Sequence, residues 1–515
     1  MSLRSLPLIL LIALPMLWCP TDVLAQQPPP PPSASVPERL PISGSAPAGS
    51  VGTTQTSTPG TTSNTVDAIV DISGAFQGST PVGVATQSPV MLDLGEAIRR
   101  GIAYNLGVID ANAVALDARA TQRGALAELL PDVTGTITTA VQKVSLATLG
   151  LQTAKGLPPG FQFANTLGPF HYFEAGALVS QRVLDLTAIK NYRSAKELTT
   201  AAGHTLRDNR DLVVLAVGGS YLEVVAAAAR VDSAMAQVDT ARAVFAQATR
   251  QHEAGVNAQI DVDRSQVELQ RQQLRLISLQ SDWATQKLSL GRVIGMPLGQ
   301  EITLTTPMEY IPQSIMSLQD ALTSAFARRA DIQAAEAQLR AATQARDAAR
   351  AQNIPALTLN GGYFVAGEKP TQSNGTFSVF ATVDFPIWRG GRIQADIASA
   401  EAVYVQRRAE YENVRGQVDT EVRTALLRLA ATNEQVAVAD SNRKLAQTTL
   451  VQAQHRFGAG VADTVEVVQA QEAVASAEQD YISSLYAYYL AKLSLARATG
   501  DTEQGISNLV RPPRP

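Results

Sequence analysis

The sequence predicts a mixed, mainly α-helical fold of long coiled-coil-like helices with a few β-strands, built from two internal repeats. Three observations carry this prediction. The first is the repeat. Aligning Leu94 with Leu318 also aligns Ala97 with Ala321, Ala103 with Ala327, Ala111 with Ala335, Ala118 with Ala342, Ala127 with Ala351 and Pro131 with Pro355, without a gap. Further on, Ala254, Gly255 and Val256 match Ala459, Gly460 and Val461, the Lys287–Leu290 stretch matches Lys492–Leu495, and Gly295 matches Gly500. Shared helical composition yields stray alanine matches, but not a proline and two glycines in order. The second is a very long proline-free stretch in each half, with apolar residues at three- and four-residue steps. The third is a pair of alternating segments in each half, rich in β-branched and aromatic residues.

Taken in order, residues 1–25 read as a secretory signal peptide. Arg4 gives a positive start, Leu6 to Leu17 an apolar run, and Val23, Leu24 and Ala25 a cleavage site before Gln26. The run is too short to span a bilayer core of roughly 30 Å. Cys19, the one cysteine, lies inside it, so the processed chain has no thiol chemistry and no disulfide. Trp18 precedes Cys19 where lipid attachment wants a small residue, which argues against lipidation. Residues 26–90, with Pro28 to Pro32 and abundant Ser, Thr and Gly, are expected to stay extended or disordered.

The first repeat occupies residues 91–300. A helix over 93–128 ends before Pro131, because proline disfavours a helical residue ahead of it. Strands follow at Val133 to Val141 and Tyr172 to Val179. A long helix over 186–254 carries Leu206, Val213, Val217, Tyr221, Val224, Val231, Val238 and Phe245, and a second helix returns over 258–294. After an inter-repeat linker at 301–316, the second repeat occupies 317–503. Its helix over 317–352 ends before Pro355, and strands at Leu357 to Val365 and Phe377 to Phe385 flank a polar loop, Lys369 to Gly375, as in a hairpin. A long helix over 389–457 carries Val414, Val418, Val422, Ala425, Leu429 and Val436. The returning helix over 463–498 carries Val465, Val468, Ala475, Ile482, Leu485, Tyr489 and Leu493, and residues 504–515 form a tail.

At 1.5 Å per residue each longer helix runs roughly 100 Å, far more than a globular core requires. Its apolar stripe must be covered by neighbours, other chains included. The signal segment is followed by no apolar run long enough for a transmembrane helix, so any membrane crossing falls to the β-strands, which must close a barrel. Four strands per chain cannot close one, because the smallest membrane barrels have about eight. Three copies would give twelve strands. Strand number alone does not choose among two, three and four copies.

Composition narrows the function. A net charge of −4, from 42 basic and 46 acidic residues, gives no reason to expect nucleic acid. His171, His204, His252 and His455 have no metal-type neighbours at helical spacing, so no metal and no cofactor is expected. No phosphate loop or nucleophile motif stands out, and the chain does not read as an enzyme. A secreted or periplasmic coiled-coil scaffold or adaptor would suit the helices but has no need for the hairpins.

The chain resembles the TolC family of outer-membrane efflux proteins over nearly all of residues 91–503. The features that carry this are the duplicated plan, the start at Leu94 to Ile98 with its end at Leu130 and Pro131, the Phe385 to Arg392 junction, and the turn from Phe457 to Gln471. The resemblance implies a homotrimer with a twelve-stranded β-barrel in the outer membrane lipid and an α-barrel through the periplasm. It implies docking to a periplasmic adaptor protein and an inner-membrane transporter, as the passive duct of an efflux or type I secretion system. The exported substrate is not specified by it.

Glycines 255 and 460 are expected to end the long helices at the hairpin tips, with Asp463 and Thr464 opening the next helix. The resemblance implies that these tips form a periplasmic gate. Glu466 matches a ring carboxylate, and Gln469 falls one turn on where the family has a second carboxylate, with Asp463 a partial replacement. Asp261 matches a carboxylate that braces the closed state against an arginine, whose place is taken here by Ala462. Pro386, Gly390 and Gly391 suit the strand-to-helix junction of the second repeat, whereas Gln181 to Thr187 in the first lacks both residue types. Trp388 fits an interfacial anchor or a core position equally well.

Overall fold

The computed structural model describes residues 50–57, 64–71, 74–145, 165–256, 258–306, 308–312 and 316–502. The expected signal peptide at 1–25, Cys19 and the tail at 504–515 lie outside them. The chain divides into two compact units. One contains Val133–Val179 and Gly361–Val379, and the other contains Ala46–Asp132, Ser180–Asn360 and Phe380–Pro515.

The larger unit opens with an antiparallel hairpin, β1 (Ser50–Ser57) and β2 (Asn64–Asp71), with Ser50 opposite Asp71 and Ser57 opposite Asn64. A 3-10 turn at Gly74–Gln77 and β3 (Val90–Leu92) follow. The expectation of an extended or disordered chain through residue 90 is therefore corrected over the described part. Its backbone polar groups need partners and find them far along the sequence. Thr80 N–H donates to Tyr104 O at 3.0 Å, Val82 N–H to Gly295 O at 3.2 Å, and Thr86 N–H to Gln300 Oε1 at 2.7 Å. Phe76 is buried.

The helix expected over 93–128 is two helices, α1 (Leu94–Tyr104) and α2 (Leu106–Ala127). Neither proline nor glycine breaks it. Asn105, fully buried, donates from Nδ2 to Phe76 O at 2.8 Å, and its Oδ1 accepts from Gly107 N–H at 2.9 Å to cap α2. Next come β4 (Asp132–Ser145), β5 (Thr166–Leu184), the long α3 (Leu186–Glu253) and α4 (Gln259–Val293). In the linker, β6 (Ile302–Leu304) pairs in parallel with β3. Then follow α5 (Leu318–Arg328), α6 (Ala330–Ala351), β7 (Ala356–Gly367), β8 (Ser373–Asp384), α7 (Arg392–Gly458) and α8 (Thr464–Ala498). The expected helix over 317–352 is thus also split, at Arg329. Corresponding helices agree in length: α1 and α5 have 11 residues, α2 and α6 have 22, α4 and α8 have 35, and α3 and α7 have 68 and 67.

Small side chains set the packing of the first half of α3. Ala188, Ala195 and Ala201 on α3 and Ala337, Ala341 and Ala348 on α6 are buried, and the close approach lets Ser194 Oγ donate to Ala341 O at 2.9 Å. Lys190 pairs with Asp347 at 3.1 Å and Arg340 with Glu197 at 2.8 Å, which fixes α3 and α6 antiparallel. The centre of α3, from Leu212 to Tyr221, is the core of the unit, together with Leu92, Ile294, Val418, Val422, Leu429, Leu490 and Leu493. By length and composition α3 holds a window apolar enough to cross a membrane, which corrects the expectation that no such run follows the signal segment, but 72% of that window is buried within the protein. Tyr221 Oη donates to Leu92 O at 3.1 Å, and Tyr488 Oη to Ile311 O at 2.8 Å, so tyrosines on α3 and α8 hold the β3 and linker backbones.

The strands β4, β5, β7 and β8 form one sheet in that order, leaving β4 and β8 as its edges. Side chains alternate sides along a strand. On β4, Val133, Ile137 and Val141 share one side and are 63%, 80% and 63% exposed. On β8, Phe377, Val379 and Val383 share one side and are likewise exposed.

Candidate functional site

The sequence places its candidate site at the two helix-hairpin tips. Both long helices end in the same way. At the end of α3, Gly255 takes φ +74°, its N–H donates to His252 O at 2.8 Å, and Val256 N–H reaches back to Gln251 O at 2.9 Å. At the end of α7, Gly460 takes φ +73°, its N–H donates to Phe457 O at 3.1 Å, and Val461 N–H reaches Arg456 O at 3.0 Å. This six-to-one bond around a left-handed residue satisfies carbonyls the helix leaves open, and a side chain at that φ would be strained. The tips adjoin within the larger unit. Val244 and Ala248 of α3 pack with Ala453 and Phe457 of α7 and Val467 and Ala470 of α8, and Gln251 Nε2 donates to Phe457 O at 3.3 Å.

On this frame Asp463 is the N-cap of α8: its Oδ1 accepts from Glu466 N–H at 3.1 Å. Glu466 stands half-exposed in the first turn, where the helix dipole favours its charge, and its Oε1 lies 3.1 Å from Arg456 Nη1. Gln469 is exposed one turn on. Asp261 lies in the first turn of α4, and among the described residues its ion-pair partner is Arg264 on the same helix, at 3.8 Å. Asp463 and Glu466 are thus brought together, with Gln469 along the same helix. No hydrogen bond or ion pair among the described residues joins Asp261 to them.

Two junctions turn strand into helix by different means. After β5, Asp185 alone intervenes. Its Oδ1 caps α3 by accepting from Ala188 N–H at 3.0 Å, and Arg182 ties Asp185 at 3.4 Å to Glu128 at 3.2 Å. After β8, the chain runs through Pro386 before Gly390 at φ +58° and Gly391 at φ +82° open α7. In this stretch Ile387 and Trp388 are 88% and 86% exposed, so Trp388 is not a core residue.

A set of polar residues between the helix pairs was missed in the sequence. Arg271 of α4 pairs with Glu268 on its own helix at 2.5 Å and with Glu472 of α8. Arg443 of α7 pairs with Asp440 at 2.7 Å and lies 3.9 Å from Glu478 of α8. Glu268, Gln272 and Gln471 are 4–5% exposed. The signal was spacing: Gln471 falls four residues after Val467 and four before Ala475, in the buried stripe of α8. Among the described residues no group of three or more His, Cys, Asp or Glu is placed to hold a metal ion.

A family model described as outer membrane efflux protein matches residues 105–296 and 321–501. OpmQ of Pseudomonas putida, a pyoverdine export outer membrane protein, is 24% identical over 317 residues, 60% of this chain and 67% of that protein. CusC of Escherichia coli, a cation efflux system protein, is 28% identical over 177 residues, 34% of this chain and only 39% of that protein. The solved structure of the outer-membrane channel OprN superposes with a TM-score of 0.68 at 19% identity, covering 79% of this chain and 90% of that one. The fold is therefore shared along most of the chain, and the family match spans both sets of long helices. The chain belongs to the outer membrane efflux protein family, whose members are outer-membrane channels of export systems.

Proposed function

We propose that the chain is the outer-membrane duct subunit of a tripartite efflux or type I secretion system, a passive conduit rather than an enzyme. Three copies assemble, each a pair of repeats giving four strands to a twelve-stranded barrel in the outer membrane lipid. Their long helices continue as an α-barrel in the periplasm, where an adaptor protein and an inner-membrane transporter dock. The exposed loop with Ile387 and Trp388 suits the boundary between lipid and water. Glu466, with Asp463 and Gln469 beside it and Asp261 on the neighbouring tip, lines the periplasmic gate.

The observation that carries this reading is the four-stranded sheet with both edges unpaired among the described residues and apolar side chains exposed on β4 and β8. Unpaired backbone groups are not tolerated in lipid. Long bare edges in water invite uncontrolled pairing. Closure with other copies resolves both problems, whereas a soluble coiled-coil scaffold would leave the bare edges in water. The test is the mass of the detergent-extracted protein with and without boiling. A trimer that falls to the monomer on boiling is expected, and a monomer or dimer soluble without detergent refutes the duct.

A further inference from the structure

Close contacts sort the side chains of the β4, β5, β7 and β8 sheet onto its two sides. On one side, a Cβ placed at Gly361 would lie 3.8 Å from Val379 Cγ2, and one placed at Gly375 would meet the Tyr363 hydroxyl. Alternation along β8 adds Phe377 to this side. Tyr363, Phe377 and Val379 are 59%, 80% and 69% exposed there. On the other side, a Cβ at Gly176 or at Gly362 would meet the ring of Phe364. Phe364 therefore covers two stretches of bare backbone. Alternation groups it with Tyr172 and Glu174 of β5 and with Thr376 and Ser378 of β8. Tyr172 Oη donates to Glu174 Oε2 and fixes the carboxylate on this side. One side of the sheet is thus mainly apolar and the other mainly polar.

Charge is scarce on the polar side. Within residues 166–179, 361–367 and 373–379, Glu174 is the one charged residue on it. His171 alternates to the apolar side of β5, and Lys143 of β4 falls in the row of Val133, Ile137 and Val141. Among the described residues Glu174 has no ion-pair partner, and its bond is to the Tyr172 hydroxyl. An ionised side chain is costly against lipid. A membrane barrel turns its apolar side outward and its polar side to the bore.

We propose that Glu174 is a charge-selecting residue of the duct. With the polar side turned to the bore, each copy sets one unpaired carboxylate there, held by Tyr172, and the barrel passes cations in preference to anions. The role depends on closure into the duct described above. Identical copies repeat the charge around the axis. Fixed charge of one sign in a passage with low-dielectric walls raises the local concentration of the opposite ion. Glu466 differs in this respect, because its carboxylate is already paired with Arg456.

The test is the reversal potential of the purified full-length protein in planar bilayers under a potassium chloride gradient. Glu174→Gln should lower the ratio of potassium to chloride permeability about twofold or more, and Glu174→Lys should lower it further. Both shifts should grow as salt falls from about 0.1 M to about 0.01 M, because the screening length rises from about 10 to about 30 Å. Ser378→Glu, exposed on the same side, should raise the ratio. Val379→Glu, on the apolar side, should instead reduce the yield of heat-sensitive trimer. Unchanged ratios in conducting Glu174→Gln and Glu174→Lys trimers overturn the role of Glu174 and leave the duct standing. If those variants do not assemble, Ser378→Glu decides, and an unchanged ratio there overturns the polar side as the bore wall. A parent protein that forms neither trimers nor channels overturns the duct and the role of Glu174 with it.

Discussion

Arg329 sits between α5 and α6 and is 4% exposed. Burial works against its charge, but two bonds to Asp331, at 3.0 and 2.6 Å, and one to Glu421, at 2.6 Å, hold its pKa above the ordinary value. Its neighbour Arg328 makes an equally good pair with Asp501, at 2.6 and 2.7 Å, but is 55% exposed. Geometry is alike and solvent differs, so the two substitutions should diverge. Arg329→Met strands two carboxylates and should cost about 3–5 kcal/mol, whereas Arg328→Met should cost about 0–1 kcal/mol, read as paired denaturation curves. The same cluster is acid-sensitive. Burial disfavours the Asp331 carboxylate, yet the Arg329 hydrogen bond and charge outweigh it and leave the pKa below the ordinary value. A depressed carboxyl stabilises the fold fully above the unfolded value of about 3.9 and loses that contribution as pH falls through the folded value. Asp208 opposes it: burial pushes its carboxyl up against the pull of Arg497, so it takes a proton earlier on the way down. Asp331→Asn should therefore flatten the decline in unfolding midpoint below about pH 4 relative to the parent.

Among the elements, α4 carries an uncovered seam. Ile260, Val267 and Leu274 lie seven residues apart and are 55%, 64% and 70% exposed, and on α7 Val438 and Leu445 repeat the pattern. A seven-residue apolar repeat is what one helix offers to another, and among the described residues these stay exposed. Replacing Val267 and Leu274 together with Gln should leave the monomer folded by circular dichroism and shift the detergent-extracted protein from trimer toward monomer on gel filtration. Unchanged assembly would show that the seam lies outside the subunit interface. The regular elements were legible in the sequence because their signals are local. Helices expected over 258–294 and 463–498 are observed over Gln259–Val293 and Thr464–Ala498. The breaks at Asn105 and Arg329 were not legible, because each is made by partners distant in sequence: Phe76 O for one, Glu421 for the other. The ordered run before β3 was missed for the same reason. Its composition is that of a tail, and its partners are Tyr104, Gly295 and Gln300. At the site, the glycine turns and the Asp463 cap were readable from spacing. The buried glutamines were not, because a glutamine in an apolar stripe gains meaning only from what lies across from it.

For the proposed assembly, the tip carboxylates would set the charge that a passing ion meets. Glu466 is paired with Arg456 in its own chain, so neutralising it removes a negative charge and frees a positive one. In planar bilayers Glu466→Gln should lower the ratio of cation to anion permeability, with the trimer intact. An unchanged ratio would place Glu466 away from the conduction path.

The bare edges of β4 and β8, 14 and 12 residues long, also have a meaning in time. Until they are joined, each newly made chain carries two adhesive borders that accept any extended strand, correct or not. Under the proposed closure by other copies, the interval between synthesis and closure is the chain's most hazardous stage, and it lengthens as subunits become scarce because closure needs encounters between copies. Slow expression, which a solitary folder tolerates well, would for this protein prolong the exposure rather than relieve it.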